Sequence, residues 1–180
     1  AGPPLPGGRE EVWRFSPLRA MRGLLSDGGP TGDNLEWTTD LPEGVSFEPI
    51  SLEAARDLAV EAPIDRVSAL AAKNASHAAR LAVPAGVELA EPIVINGAGL
   101  AGESVAEHLV ITVGAQAKAT IVLRYTGSAT LADKTDLIVG DGAQVNFVSI
   151  QDWEGDAVHG GHHSVLVGRD AQVRTVTVSM

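Results

Sequence analysis

Three imidazoles crowd one short stretch near the end of the chain, His159-Gly160-Gly161-His162-His163. Neutral imidazole is a ligand for zinc, iron and related ions, and histidines three or four residues apart on a glycine turn could converge on one, as in a cupin. A cupin site adds a downstream glutamate, whereas Ser164-Val165-Leu166-Val167 follow here. The expectation is a solvated loop with its histidines in water, and His159, His162 and His163 stand as the weak metal candidates. Two groups of carboxylates, Asp133, Asp136 and Asp141, then Asp152, Glu154 and Asp156, could serve a lyase or hydrolase as calcium ligands or as an acid and base pair. Their neighbours Gly140, Gly142 and Gly155 place them mainly in turns, and an aromatic content of 4% offers little for a sugar-binding groove. Gly97-Ala98-Gly99-Leu100-Ala101-Gly102 has the G-x-G-x-x-G form, but no helical pattern follows it, so it reads as a turn. Ser104, Glu107 and His108 supply the residue types of a hydrolase triad without a nucleophile elbow. No residue is assigned a catalytic role.

These residues sit on a repeat. Gly86, Gly114, Gly142 and Asp170 recur every 28 residues, each followed by a small or branched residue and then by Glu88, Gln116, Gln144 or Gln172. Apolar, β-branched runs come after each turn, at Ile93–Ile95, Thr120–Leu123, Phe147–Ile150 and Thr175–Val178. A second set precedes them, at Leu81–Val83, Leu109–Val113, Leu137–Val139 and Val165–Val167. A fixed period in this range signals stacked supersecondary units, and the composition of the runs makes the units strands. The fold class expected is mainly β, a right-handed β-helix or β-solenoid of stacked rungs with a period of about 28, preceded by a small α-helical segment. Gly114 and Gly142 are expected at positive φ as turn devices.

The segments ahead of the repeat divide as residues 1–11, a disordered tail rich in Pro and Gly, and 12–78, an N-terminal helical segment; 79–180 is the β-helix core, incomplete at its C-terminal end. Within 12–78, Ser16 and Pro17 announce a helix through Leu18, Met21 and Leu25. Residues 26–46 read as loop. Ser51 and Asp65 open two further helices, and all three are expected to cap the first rung. Trp13, Phe15 and Trp37 are expected to anchor this segment by core packing. The last strand pattern runs to Met180 uncapped, which predicts an edge that self-associates unless further rungs cover it.

Bulk properties narrow the function. A net charge of −10 and a pI near 4.8 argue against nucleic acid, which needs clustered cations. The absence of cysteine excludes disulfides, thiolate zinc sites and any cysteine-held cluster on these residues alone. No apolar stretch of membrane length is present, and the expected setting is soluble and cytoplasmic.

Three stretches resemble the SufB/SufD core family of the SUF iron–sulfur cluster assembly system, and within it SufD. Glu11-Val12-Trp13-Arg14-Phe15-Ser16-Pro17-Leu18 is similar to the E-x-W-R-[FY]-[ST]-P-L stretch of SufD N-termini. Val83-Pro84-Ala85-Gly86-Val87-Glu88-Leu89-Ala90-Glu91-Pro92-Ile93 resembles the start of the family's β-helix, and Gly168-Arg169-Asp170-Ala171 its later turns. The resemblance implies a non-catalytic scaffold that pairs with a SufB-like subunit. It would engage a SufC-like ATPase through a C-terminal region absent here. No cofactor would be bound by this chain alone, the nascent iron–sulfur cluster forming in the assembled complex. The family chain is about twice this length, so the resemblance also implies that 180 residues are its N-terminal portion. Two other readings are a β-helix carbohydrate-active enzyme and a His-liganded, cupin-like metal protein.

Overall fold

Ten strands and three short helices make up the described chain. A computed structural model describes residues 3–31 and 35–180, and no helix among them is long and apolar enough to cross a membrane. After a single 3-10 turn at Glu11–Trp13 come α1 (Arg22–Leu25), β1 (Glu36–Asp40), β2 (Ser46–Ile50), α2 (Leu52–Leu58) and α3 (Arg66–Asn74). The repeat then supplies β3 (Ala78–Val83), β4 (Ile93–Gly99), β5 (Ser104–Val113), β6 (Lys118–Gly127), β7 (Thr130–Val139), β8 (Gln144–Trp153), β9 (Val158–Val167) and β10 (Gln172–Ser179).

Alternate strands enter alternate sheets. One sheet has the order β2-β3-β5-β7-β9 and the other β1-β4-β6-β8-β10. From β3 onward every pair is parallel, so β3 with β4, β5 with β6, β7 with β8 and β9 with β10 form four stacked rungs. This is the expected β-solenoid with a period of about 28. Every apolar run read as a strand lies inside one. Residues with even spacing share a face of a strand, and the inward set (Leu81, Ile111, Leu137 on one wall; Ile93, Ile121, Phe147 on the other) fills a continuous core.

The first rung is closed differently from the expectation. Strands β1 and β2 lie antiparallel on β4 and β3, in a region read as loop and helix. Glu36-Trp37-Thr38-Thr39-Asp40 is short and acidic, with Trp37 as its one large apolar residue, which hides its strand character. The helices instead pack on the outer face of the β3-β5-β7-β9 wall. Ala55 of α2, with Leu52 and Leu58, seats against Ala78, Val110 and Ile138. Leu24 and Leu25 of α1 and Val67, Leu70 and Ala71 of α3 seat against Ala132 and Val158.

Ser51 caps α2 by accepting from the Ala54 N–H at 3.1 Å, and Asp65 with Ser68 forms a reciprocal capping box on α3, both as read from sequence. The first helix is shorter than expected. Residues after Pro17 form turns, and only Arg22–Leu25 is helical, with Met21 at its start and no side-chain cap from Ser16. Trp13 packs beside α1 and Trp37 against Phe47 and Tyr125. Phe15 is 89% exposed and anchors nothing in the core; it lies beneath the Arg14 guanidinium.

Register corrects the repeat frame. The left-handed turn residues are Gly86, Gln116, Gly142 and Asp170, separated by 30, 26 and 28 residues, as the strand pairing requires. Gly142 has φ +69°, as expected, while Gly114 does not lie at positive φ. Gly114 stacks with Gly140 and Gly168, where a Cβ would come within 2.4, 2.6 and 2.7 Å of the backbone nitrogen of Ala85, Ala115 and Asp141 respectively. These glycines are required by close approach of neighbouring turns, and the even 28-residue spacing joins two different columns.

Candidate functional site

Strands β5, β7 and β9 carry two polar clusters, one on each face of the same wall. The pairing stacks Glu107 on Asp133 and Gly161, His108 on Lys134 and His162, Leu109 on Thr135 and His163, and Val110 on Asp136 and Ser164. Neighbours along a strand face opposite ways. Because Leu109 and Leu131 are inside while Val110 and Ala132 are under the helices, Glu107, Asp133, Thr135, His159 and His163 point inward. His108, Lys134, Asp136, His162 and Ser164 point outward.

Inside the solenoid, Asp133 is fully buried. Its Oδ1 accepts from His159 Nε2. Its Oδ2 accepts from Thr135 Oγ1 at 3.2 Å and lies 3.7 Å from His163 Nε2. Burial pushes this carboxyl up, but the charge and hydrogen bond of His159, helped by His163 and Thr135, outweigh it and hold the group below its ordinary value. Room for this arrangement comes from Gly161, where a Cβ would lie 2.3 Å from Asp133 Oδ1. On the other side of the strand, a Cβ at Gly160 would lie 2.7 Å from Leu24 Cδ2 of α1. The two glycines make space for a carboxylate and a helix, and the stretch is strand, not the flexible turn expected.

One rung earlier, Glu107 is 1% exposed and neither of its carboxyl oxygens has a hydrogen-bond partner among the described residues. The indole N–H of Trp37 faces it without reaching hydrogen-bond geometry. Burial, then the charge of Asp133, push the Glu107 carboxyl up to about 8, against smaller lowering by the His108 N–H and Trp37. Glu107 is therefore held as a neutral acid near pH 7, which removes like-charge repulsion from Asp133. Tyr125 lies beside them, stacked on Trp153 at 5.5 Å and tilted against His159 at 5.4 Å. Burial, with Asp133 and Glu107 adding, raises its phenol well above the ordinary range.

Under the helices, Asp136 is also fully buried. Its Oδ2 accepts from His108 Nε2 at 2.8 Å and from Lys134 Nζ, and its Oδ1 accepts from the Val60 N–H at 3.1 Å. Burial pushes this carboxyl up, and the bonds from His108 and Lys134, with the lysine charge and the Val60 amide, bring it below its ordinary value. His162 Nδ1 sits 3.0 Å from Asp65 Oδ2 at the start of α3, and Ser164 Oγ donates to Glu61 Oε1 at 2.8 Å. This cluster ties the 60–65 linker and α3 to the wall.

The three histidine candidates are thus divided. His159 and His163 share Asp133 inside, and His162 pairs with Asp65 and Glu61 outside. All three lie on β9 and not in a loop; His159 and His162 are partly buried, while His163 is exposed. Among the described residues, no group of three or more His, Asp or Glu side chains is placed to hold a metal ion. Glu107 and His108 of the paper triad face opposite sides of β5, so they do not converge with Ser104. Asp133 and Asp136 are buried strand residues and not turn acids, and their opposite faces prevent them from acting as one acid and base pair. Sequence reasoning missed Tyr125, Lys134, Glu61 and the pairing of Glu107 with Asp133. The signal was the 26-residue offset between Glu107 and Asp133, invisible in a 28-residue frame.

Comparison with known proteins bears on the rungs that carry these clusters. Residues 93–180 match the family model described as SUF system FeS cluster assembly, SufBD core domain. An iron–sulfur cluster assembly SufBD family protein of Mycobacterium leprae is 35% identical over 91 residues, 51% of this chain and 23% of that protein. SufBD family proteins of Mycobacterium bovis and Mycobacterium tuberculosis are each 32% identical over 102 residues, 57% of this chain and 26% of theirs. The chain spans about a quarter of the length of these curated relatives. No solved structure gives a significant match. The matched rungs and these relatives together make residues 93–180 similar to the SufBD core domain of the SUF iron–sulfur cluster assembly system.

Proposed function

We infer that this protein acts in iron–sulfur cluster assembly as a non-catalytic, cytoplasmic scaffold of SufD type, working beside a SufB-like subunit and a SufC-like ATPase. The observation that carries the reading is the SufBD core match, which covers β4 to the end of the chain. Three features support it. The buried carboxylates are engaged within the wall or, at Glu107, shielded as a neutral acid, so they serve its assembly and do not converge on a substrate. With no cysteine in these 180 residues, thiolate ligands for a nascent cluster would come from outside them. Strands β9 and β10 each have a neighbour on one side only among the described residues, leaving backbone groups available for further strand pairing. The cluster in this reading is cargo of the complex, with no resident cofactor on this chain.

Neither alternative gains an observation. The cupin reading requires a barrel, and the fold is a solenoid. The carbohydrate-enzyme reading requires convergent acids open to a substrate, whereas Asp133 and Asp136 face opposite sides of the wall and the pair that does converge, Glu107 and Asp133, is buried inside the solenoid. The test is capture of the tagged natural gene product from its own cells followed by mass spectrometry. Co-capture of a SufB-like and a SufC-like protein in stoichiometric amounts is expected. Recovery of the protein alone, with both other proteins present in the lysate, would overturn the reading.

A further inference from the structure

The outer cluster contains hydrogen-bonding capacity that scaffolding does not use. Between α2, the linker that follows it, α3 and the outer surfaces of β5 and β7 lies a cavity of about 320 Å3, within the size range of small-molecule sites. Ala62, Pro63 and Ala72 form apolar walls, and Arg56, Glu61, His108 and Lys134 supply the polar lining.

Its floor is built from behind. Lys134 is 1% exposed and donates one of its three N–H groups to Asp136. His108, equally buried, uses Nε2 on the same carboxylate, which leaves Nδ1 without a partner among the described residues. Asp136 is thereby occupied by three donors and fixes the orientation of both side chains. Arg56 stands exposed at the rim with no ion pair among the described residues. The one carboxylate in the lining, Glu61, has an oxygen engaged by Ser164 and faces His162. The capacity left over is two ammonium N–H groups, an imidazole nitrogen and a guanidinium.

We propose that this cavity is a binding site for a small molecule bearing an oxyanion head, a carboxylate or a phosphate. The head lies between Lys134 and His108, Arg56 closes the mouth, and any apolar body rests on Ala62, Pro63 and Ala72. Charge bookkeeping is consistent: Asp136 balances Lys134, which leaves the Arg56 guanidinium to meet the charge of a ligand anion. Charge-assisted hydrogen bonds of this kind are the strong ones.

The test is NMR of 15N-histidine-labelled protein titrated with sodium orthophosphate and, separately, sodium butyrate, against sodium chloride at matched ionic strength. A saturable shift of the His108 ring nitrogens is expected with at least one oxyanion and not with chloride. Butyrate alone identifies a carboxylate site, phosphate alone a phosphate site, and both a general oxyanion site. Arg56→Ala, at an exposed position that leaves the fold intact, should weaken binding about tenfold, the loss of one charge-assisted contact. Lys134→Met should abolish it, and if that variant fails to fold, Arg56→Ala decides. No saturable shift with either anion, or equal affinity in wild type and Arg56→Ala, would overturn the proposal.

Discussion

Replacing Glu107 with glutamine tests the inner cluster through the pH dependence of stability. The folded protein holds the Glu107 proton up to about pH 8, whereas an unfolded chain releases it near 4.5. Stability from this group is therefore full below about pH 4.5 and declines as pH climbs to 8. The maximum slope for one proton is ~1.4 kcal/mol per pH unit, and the whole window amounts to ~5 kcal/mol. For a domain of this size that corresponds to a fall in Tm of roughly 10–20 °C between the two ends. Glu107→Gln keeps the shape of the neutral acid and cannot ionise. It should match wild type near pH 5 and exceed it progressively toward pH 8. Other titrating groups act in both proteins, so the difference between their melting curves isolates Glu107. Circular dichroism melts at half-unit steps from pH 5 to 8.5 supply the curves. If the two proteins lose stability in parallel, Glu107 is ionised in the fold and the neutral-acid argument is wrong.

Asp133 has the opposite sign, since its folded value is lowered: its contribution is present above its ordinary value near 3.8 and is lost as pH falls below it, so Asp133→Asn should flatten the acid limb of the same melts. Gly161→Ala should cost ~1–3 kcal/mol in urea unfolding because its Cβ displaces a buried carboxylate, whereas Gly155→Ala, with nothing within 4 Å, should stay within ~0.5 kcal/mol; equal costs would remove the steric argument. Gly142→Val should cost at least ~1 kcal/mol at its left-handed turn, and unchanged melting would refute the turn assignment. Zinc or iron should bind no more tightly than to ordinary surface histidines, and calorimetry showing one metal per chain at submicromolar affinity, lost on replacing His159, His162 and His163 with alanine, would contradict the division of these residues across the wall.

The strands of the solenoid were legible because Val, Ile and Thr announce them at Leu109–Val113 and its counterparts. What could not be read was how far they extend. Glu107, His108, Asp133, Lys134, Asp136 and His162 look like turn residues in one dimension, and only burial against partners on the next rung makes them strand. The left-handed Gln116 illustrates a related limit. A glutamine gives no turn signal, so the sequence points to the nearby Gly114 instead and shifts the register by two residues, which separates Glu107 from Asp133. Helix caps depend on local chemistry, which is why Ser51 and Asp65 were found. Strands β1 and β2 depend on pairing with distant residues and were not.

Depleting the natural gene product in its own cells and measuring the iron–sulfur content of a client enzyme such as aconitase tests the assembly role most directly. The account predicts that aconitase polypeptide persists while its cluster occupancy falls, with recovery when the wild-type gene is restored. Full cluster occupancy after verified depletion would contradict it.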